Sequence, residues 1–442
     1  MEKIFPWVWR VTILSLPWQT RWFSDAFLGE WPWEQGRLSV YASWFLIGLT
    51  VIAGQFWKIP FEKKTKVFLP SWLLFVFLFI VNLLVTRGDQ EMIRAIVQWW
   101  GQIVLLGLFV WTLWRREVSV RFLIKWLVLS MVPVALLGCV QYTQQMVDGT
   151  KWFGMATHDP RNLGVSVIEH GEFRVLRAYG VFPHPNIFGG WLAVVLSLSV
   201  WLAVTTERKG MALILSLLSG LFTAALVVTY SRSAWIAALV GILFMLWSFR
   251  KKPTVQYQYL GIALVSILVI GGSVVYSQRG HVLVRFQGEA RLEQKSLDER
   301  SSGLKEGLLQ WWKRPFFGTG PNAELYVMQP LRIPLPPGMH DIPNVFPSPP
   351  VQPPHMVFLL ALIDFGVVGI LVLMLFIFRF VSFKMLKHPL MWMLFVLCLL
   401  DHYPWSTWSG QCLVMLILLI VFISDRHILL LSKGELEGVS FE

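Results

Sequence analysis

Residues 278–320 read QRGHVLVRFQGEARLEQKSLDERSSGLKEGLLQWWKRPFFGTG, and residues 355–369, after a proline-rich tract, read HMVFLLALIDFGVVG. The first stretch is dense in charge, and the second opens an apolar run with a single histidine. Almost everything to either side consists of apolar runs of about 20 residues, the length that carries a helix across the hydrocarbon core of a bilayer. A charged segment of this length between such runs is a polar loop over a bundle of membrane helices. It sets His355 at the mouth of one of them.

The composition agrees. Of 442 residues, 55% are hydrophobic, 15% aromatic and only 14% charged, whereas a soluble domain carries about 25% charged residues. The chain therefore reads as an all-α, polytopic integral membrane protein forming a single membrane domain over 1–442. The formal charge of +12 does not point to nucleic acid, because Lys and Arg fall in small clusters between spans rather than along one soluble face. The three cysteines, Cys139, Cys398 and Cys412, lie in apolar runs without metal-ligand spacing and read as small buried hydrophobes. The N-terminus runs from MEKIFPWVWR into an apolar stretch without a small-residue cleavage site, so the first span is expected to be retained.

Hydropathy gives about 12 transmembrane helices. Basic clusters at 58–66, 115–116, 207–209, 250–252 and 379–387 fall on alternate connections, which places them in the cytoplasm. The opposite, extracytoplasmic face then receives a loop at 141–186, the SRS turn at 231–233 and a large loop at 278–355 that carries short helices. Within the large loop, residues 296–312 have helical periodicity, with Leu304, Leu308 and Trp311 on one stripe and Pro315 and Gly318 ending the helix. This is an amphipathic helix lying over the membrane.

Four positions on that face can carry chemistry, each with a plainer reading beside it. Arg177 precedes a structured turn, GVFPHPN, in which Asn186 is placed to cap the next helix; it is either a headgroup anchor or an anion ligand. Arg232 sits between two spans with almost no loop, so it snorkels or meets an anion, and Ser231 and Ser233 can add hydrogen bonds to that anion. Arg300 is able to pair with Asp298 or Glu299, or to serve the same site. His355 follows the stiff lead-in PSPPVQPP and is either a satisfied interfacial histidine or a general base. A metal is not expected, since His340, Asp341 and His355 lack ligand spacing. Trp152, Trp311 and Trp312 either belong to the interfacial aromatic belt or stack on a sugar.

Over about residues 170–375 the chain resembles the O-antigen ligase and O-antigen polymerase superfamily of bacterial membrane glycosyltransferases. RAYGVFPHPNIFGGWLA (177–193) resembles the family's arginine, glycine and PN turn before a span, and TYSRSAWIAALVGILF (229–244) its SR turn. ERSSGLKEGLLQWWKRPFFGTGP (299–321) resembles its loop segment ending in PxxGxG. His355, followed by Gly366 and Gly369, matches the ligase signature in spacing, with Met356 where the family usually has Asn, Ser or Gln and Asp364 where Glu is more usual. The resemblance implies a fold similar to the GT-C class and a metal-independent, cofactor-free transferase in the bacterial inner membrane. Its donor would be a polyprenyl diphosphate-linked glycan, and its acceptor a hydroxyl on a glycan, on a lipid A core or elsewhere. By the same resemblance His355 is the base and Arg177, Arg232 and Arg300 hold the diphosphate, supported by Asn186, Ser231, Gly366 and Gly369. A repeat-unit polymerase of the same superfamily is the nearest alternative. More distant are a lipid-linked sugar flippase, which would show internal repeats, and a non-catalytic scaffold for envelope assembly.

Overall fold

The structure, a computed structural model, describes residues 3–25, 27–28, 31–32, 34–56, 68–162, 164–171, 173–250, 255–287, 291–328 and 353–432. His340, Asp341 and the proline tract through residue 352 lie outside these. Among the described residues eight helices are long and apolar enough to cross a membrane: Gln90–Arg115, Val120–Gln144, Pro185–Thr205, Lys209–Val228, Arg232–Phe249, Tyr257–Ser277, Val357–Phe378 and Trp408–Asp425. Shorter apolar helices run over Ala42–Ala53, Leu73–Val85 and Pro389–Leu400. Three two-stranded antiparallel pairs are the only strands among the described residues. Of these, Val167–His170 with Phe173–Leu176 forms a hairpin near the site.

The hub is the 185–205 helix, nearly every residue of which is buried. Its first turn is built by local chemistry. Pro185 has no N–H to lose and its fixed φ suits the first helical position, while the residue before a proline is pushed to extended backbone. His184 accordingly sits at ψ 141° as the N-cap, and its Nδ1 accepts from the Asn186 backbone N–H at 3.1 Å. The cap is therefore His184 rather than the expected Asn186, whose side chain is released for other work. Gly189 and Gly190 then admit close neighbours: a Cβ on Gly189 would stand 2.8 Å from the Ala234 methyl, and one on Gly190 would clash with Tyr403.

The charged segment folds into two helices, Arg279–Gln287 and Arg291–Lys313. As expected, the second stops before Pro315, but its packing face differs from the leucine stripe. Leu304 and Leu308 are exposed, whereas Gly303, Gly307 and Gln310 are buried. Glycine at i and i+4 lets one helix backbone approach another, and a Cβ on Gly307 would lie 3.0 Å from Leu359 and 3.1 Å from Ile363 of the following span.

That following helix, Val357–Phe380, is broken at Gly366, with φ 62° and ψ −174°. A break inside an apolar helix strands backbone groups that must find partners. Residues 315–320 supply them. Thr319 and Gly320 N–H donate to the Ile363 and Asp364 carbonyls at 2.9 Å each, and Val367 and Val368 N–H donate to the Pro315 and Phe316 carbonyls at 2.8 and 3.1 Å. Gly318 and Gly366 make the approach possible, because a Cβ on either would collide with the backbone of the other segment. PxxGxG and HxxxxxxxxxxGxxG are thus two halves of one backbone joint.

Candidate active site

At one end of the bundle the starts of the 185–205, 232–249 and 357–380 helices meet the ends of the 209–228 and 389–400 helices. His355 lies just before its span and Asp401 just after the 389–400 helix. Their Nδ1 and Oδ1 atoms are 3.5 Å apart. Asp401, 2% exposed, accepts at its other oxygen from the Asn186 Nδ2 at 2.9 Å. Asn186 Oδ1 in turn accepts from Arg177 Nη2 at 2.7 Å, and Arg177 Nε donates to the Thr229 carbonyl at 2.7 Å. The result is a relay of four side chains, Arg177–Asn186–Asp401–His355, drawn from three parts of the chain.

Electrostatics within the relay follow from burial and charge. Burial opposes the Asp401 anion, but the hydrogen bond with His355 and the neighbouring charges outweigh it and hold the carboxyl below the usual range. Burial, reinforced by the Arg285 charge, pushes Arg177 down to about 9, which leaves it charged at neutral pH. His402, whose ring centroid lies 5.1 Å from that of His355, is lowered to about 4 by burial and by His355. His184 is lowered to about 3 by burial and by Arg177. Both of these imidazoles are neutral at pH 7, and His402 Nδ1 pairs with the Ser406 hydroxyl at 2.7 Å.

A second cluster lies beside the relay. The turn before Arg232 puts Tyr230 at φ 51°, and the buried Tyr230 carbonyl accepts from Arg285 Nε at 3.0 Å. Arg232 Nη1 donates to the Arg285 carbonyl at 3.3 Å. Both guanidiniums face the carboxylate of Glu293: Arg285 in direct contact, and Arg232 at 3.5 Å from Nη2 to Oε2. Arg177 bears the charge of both Arg285 and Glu293 as well as Asp401. Arg300 is near enough to Arg232 and to His402 to bear on each, and its buried Nε has no hydrogen-bond partner among the described residues. The two clusters are therefore electrostatically one site.

Most of the expected residues converge here, with different partners. Arg177 is tied into the histidine relay rather than set against Arg232. Lys295, not Arg300, pairs with Glu299, at 3.8 Å. Ser231 is fully buried with its hydroxyl 3.2 Å from that of Ser233, so it shapes the turn under Arg232. Gly366 forms the backbone joint, while Gly369 packs against the Phe365 ring. Trp152 and Trp312 are largely exposed.

Sequence reading missed Asp401, His402, Arg285 and Glu293. Asp401 had a signal: it is an acid between two apolar runs, which is costly without a purpose. Arg285 and Glu293 had none, since nothing separates them from other charges in a polar loop. His355, Asp401 and His402 also bring three donor atoms within 4.8 Å of one another, a two-histidine, one-carboxylate set of the kind that suits transition metals. Both Asp401 oxygens and His402 Nδ1 already have protein partners, which leaves this set better matched to holding an imidazole in place.

Beneath the backbone joint lies a further acid pair. Asp364 and Glu324 are fully buried, and Trp405 Nε1 donates to Asp364 Oδ2 at 2.7 Å. Burial pushes the Glu324 carboxyl up from its ordinary value.

No curated protein matches the chain. Residues 217–374 match the family model described as O-antigen ligase, and Arg232, Arg285, Glu293, Arg300, His355, Gly366 and Gly369 fall within that stretch. With its long apolar helices the protein is a multi-pass membrane protein, and over residues 217–374 it is similar to the O-antigen ligase family.

Proposed function

We propose that the protein is a metal-independent glycosyltransferase of the bacterial inner membrane. It would move a glycan from a polyprenyl diphosphate carrier to an acceptor hydroxyl on the extracytoplasmic side. The observation that carries this reading is the placement of His355 against a buried, hydrogen-bonded aspartate beside a group of arginines. A base held by a carboxylate suits abstraction of a proton from a hydroxyl, and guanidiniums suit a departing diphosphate.

In this mechanism His355 takes the proton of the acceptor hydroxyl as its oxygen attacks the anomeric carbon of the donor. The bond from that carbon to the phosphate oxygen breaks, and its electron pair leaves with the diphosphate. Arg232, Arg285 and Arg300 stabilise the charge that develops there, with Arg177 contributing from behind Asp401. Asp401 orients the imidazole and balances the positive charge it acquires. The alternation of basic clusters supports an extracytoplasmic site, and the bundle of long helices supports a lipid-linked donor and a fold resembling the GT-C class.

The test is reconstitution with a polyprenyl diphosphate glycan, with and without a lipid A core acceptor, following product length and released carrier. One glycan moved to the added acceptor identifies a ligase, and chains that lengthen without it identify a polymerase. Turnover is expected to persist in chelator. Folded protein that releases no carrier diphosphate from any such donor would refute the assignment.

A further inference from the structure

Glu293 is unusual among the acids of the polar segment. It is 3% exposed, and Arg285 beside it is 7% exposed. The two guanidiniums it faces are fixed independently of it, because Arg285 Nε is held by the Tyr230 carbonyl and Arg232 Nη1 by the Arg285 carbonyl. Glu293 itself comes from another element, the first turn of the 291–313 helix. Its hold is uneven. One oxygen contacts Arg285 closely, whereas Oε2 stands 3.5 Å from Arg232 Nη2, and both of these last atoms are buried without a hydrogen-bond partner among the described residues. The carboxylate fills the space between two cations without satisfying both.

Buried cations require a nearby anion, and a carboxylate and a phosphate present similar oxygen geometry to a guanidinium. We infer that Glu293 is an internal stand-in for the donor's diphosphate: it occupies the place between Arg232 and Arg285 when no donor is bound and must withdraw for a phosphate to enter. This rests on the donor reading given above. The exchange has a use, since a site of several arginines would otherwise retain the carrier diphosphate after transfer. A carboxylate that returns competes with that product and lowers its affinity. Withdrawal needs movement only at the start of the 291–313 helix, which is tethered to the 167–176 hairpin by the exposed Arg291 through Glu169 at 2.8 Å.

The experiment measures binding of undecaprenyl diphosphate and of inorganic diphosphate to purified wild type, Glu293→Gln and Glu293→Asp, together with their melting temperatures. Glu293→Gln is expected to bind both probes about tenfold more tightly or better. Glu293→Asp, which draws the charge back by one methylene, should show a smaller gain and serves as the readout if the amide variant does not fold. Adding Arg285→Met to Glu293→Gln should abolish the gain. Folded variants that bind no more tightly than wild type, while wild type still transfers glycan, would overturn the role of Glu293 and leave the donor reading standing. A gain toward inorganic diphosphate with no binding of the lipid form by any variant would overturn the donor reading and leave the stand-in intact.

Discussion

At the scale of single residues the site turns on which side chain holds His355. The 3.5 Å approach to Asp401, and the bond from Asn186 behind it, give the imidazole one orientation and an anion to balance its protonated form. His355→Ala is expected to lower transfer by about 10²-fold or more, the contribution of a positioned base, while leaving binding of the lipid diphosphate within about threefold of wild type. Equal transfer rates in the variant and wild type would remove His355 from the mechanism. Asp401→Asn acts through His355 and should lower kcat with little change in the donor KM. A rise in KM at constant kcat would instead make Asp401 a binding residue. Arg232 and Arg285 should behave in the opposite way, so that Arg285→Met raises the donor KM as well as lowering kcat, because a diphosphate needs its cations both in the ground state and as it leaves.

At the scale of elements the decisive feature is the break at Gly366. Its φ of 62° with ψ −174° is a conformation almost confined to glycine, costing another residue about 1–3 kcal/mol, and a Cβ there would also meet the Phe316 backbone. Gly366→Ala is therefore expected to destabilise the protein by about 3 kcal/mol or more, read as a lower melting temperature in detergent. Gly318→Ala, on the other side of the same joint, should do the same. The double variant should cost less than the sum of the singles, because either one already parts the two segments. Additive losses would mean that the segments are not coupled. The joint also sets the C-terminal end of the 291–313 helix against the helix that begins just after His355. Glycine spacing was legible in the sequence at both places. That the two glycines face each other was not, because they lie in different motifs separated by about 48 residues of chain, and only the stranded carbonyls of a broken helix show why both are needed.

At the scale of the whole molecule, polar groups gathered at one end of an apolar bundle make stability depend on pH. His402 and His184 are lowered to about 4 and about 3 in the folded protein by burial, against an ordinary value near 6.5 once unfolded. The unfolded chain then binds more protons than the folded one below about pH 6.5. Stability from these groups is complete above that pH and is lost progressively down to about pH 3, and Asp401, also lowered, extends the loss further into acid. The melting temperature should fall between pH 7 and pH 4.5, and His402→Gln should flatten part of that slope; a flat wild-type profile would contradict the burial of these imidazoles. The sequence by itself determined the apolar bundle, because spans of hydrocarbon length are a local property of composition. It also singled out Arg177, Arg232, Arg300 and His355, because charge is conspicuous beside such spans, and it marked the paired glycine motifs. Only the tertiary structure decided what these residues touch: Asp401 behind His355, Asn186 freed from capping by Pro185, Arg285 and Glu293 beside Arg232. Those partners lie up to 215 residues apart along the chain, and no local pattern of charge or hydrophobicity encodes which distant carboxylate closes on which imidazole or guanidinium.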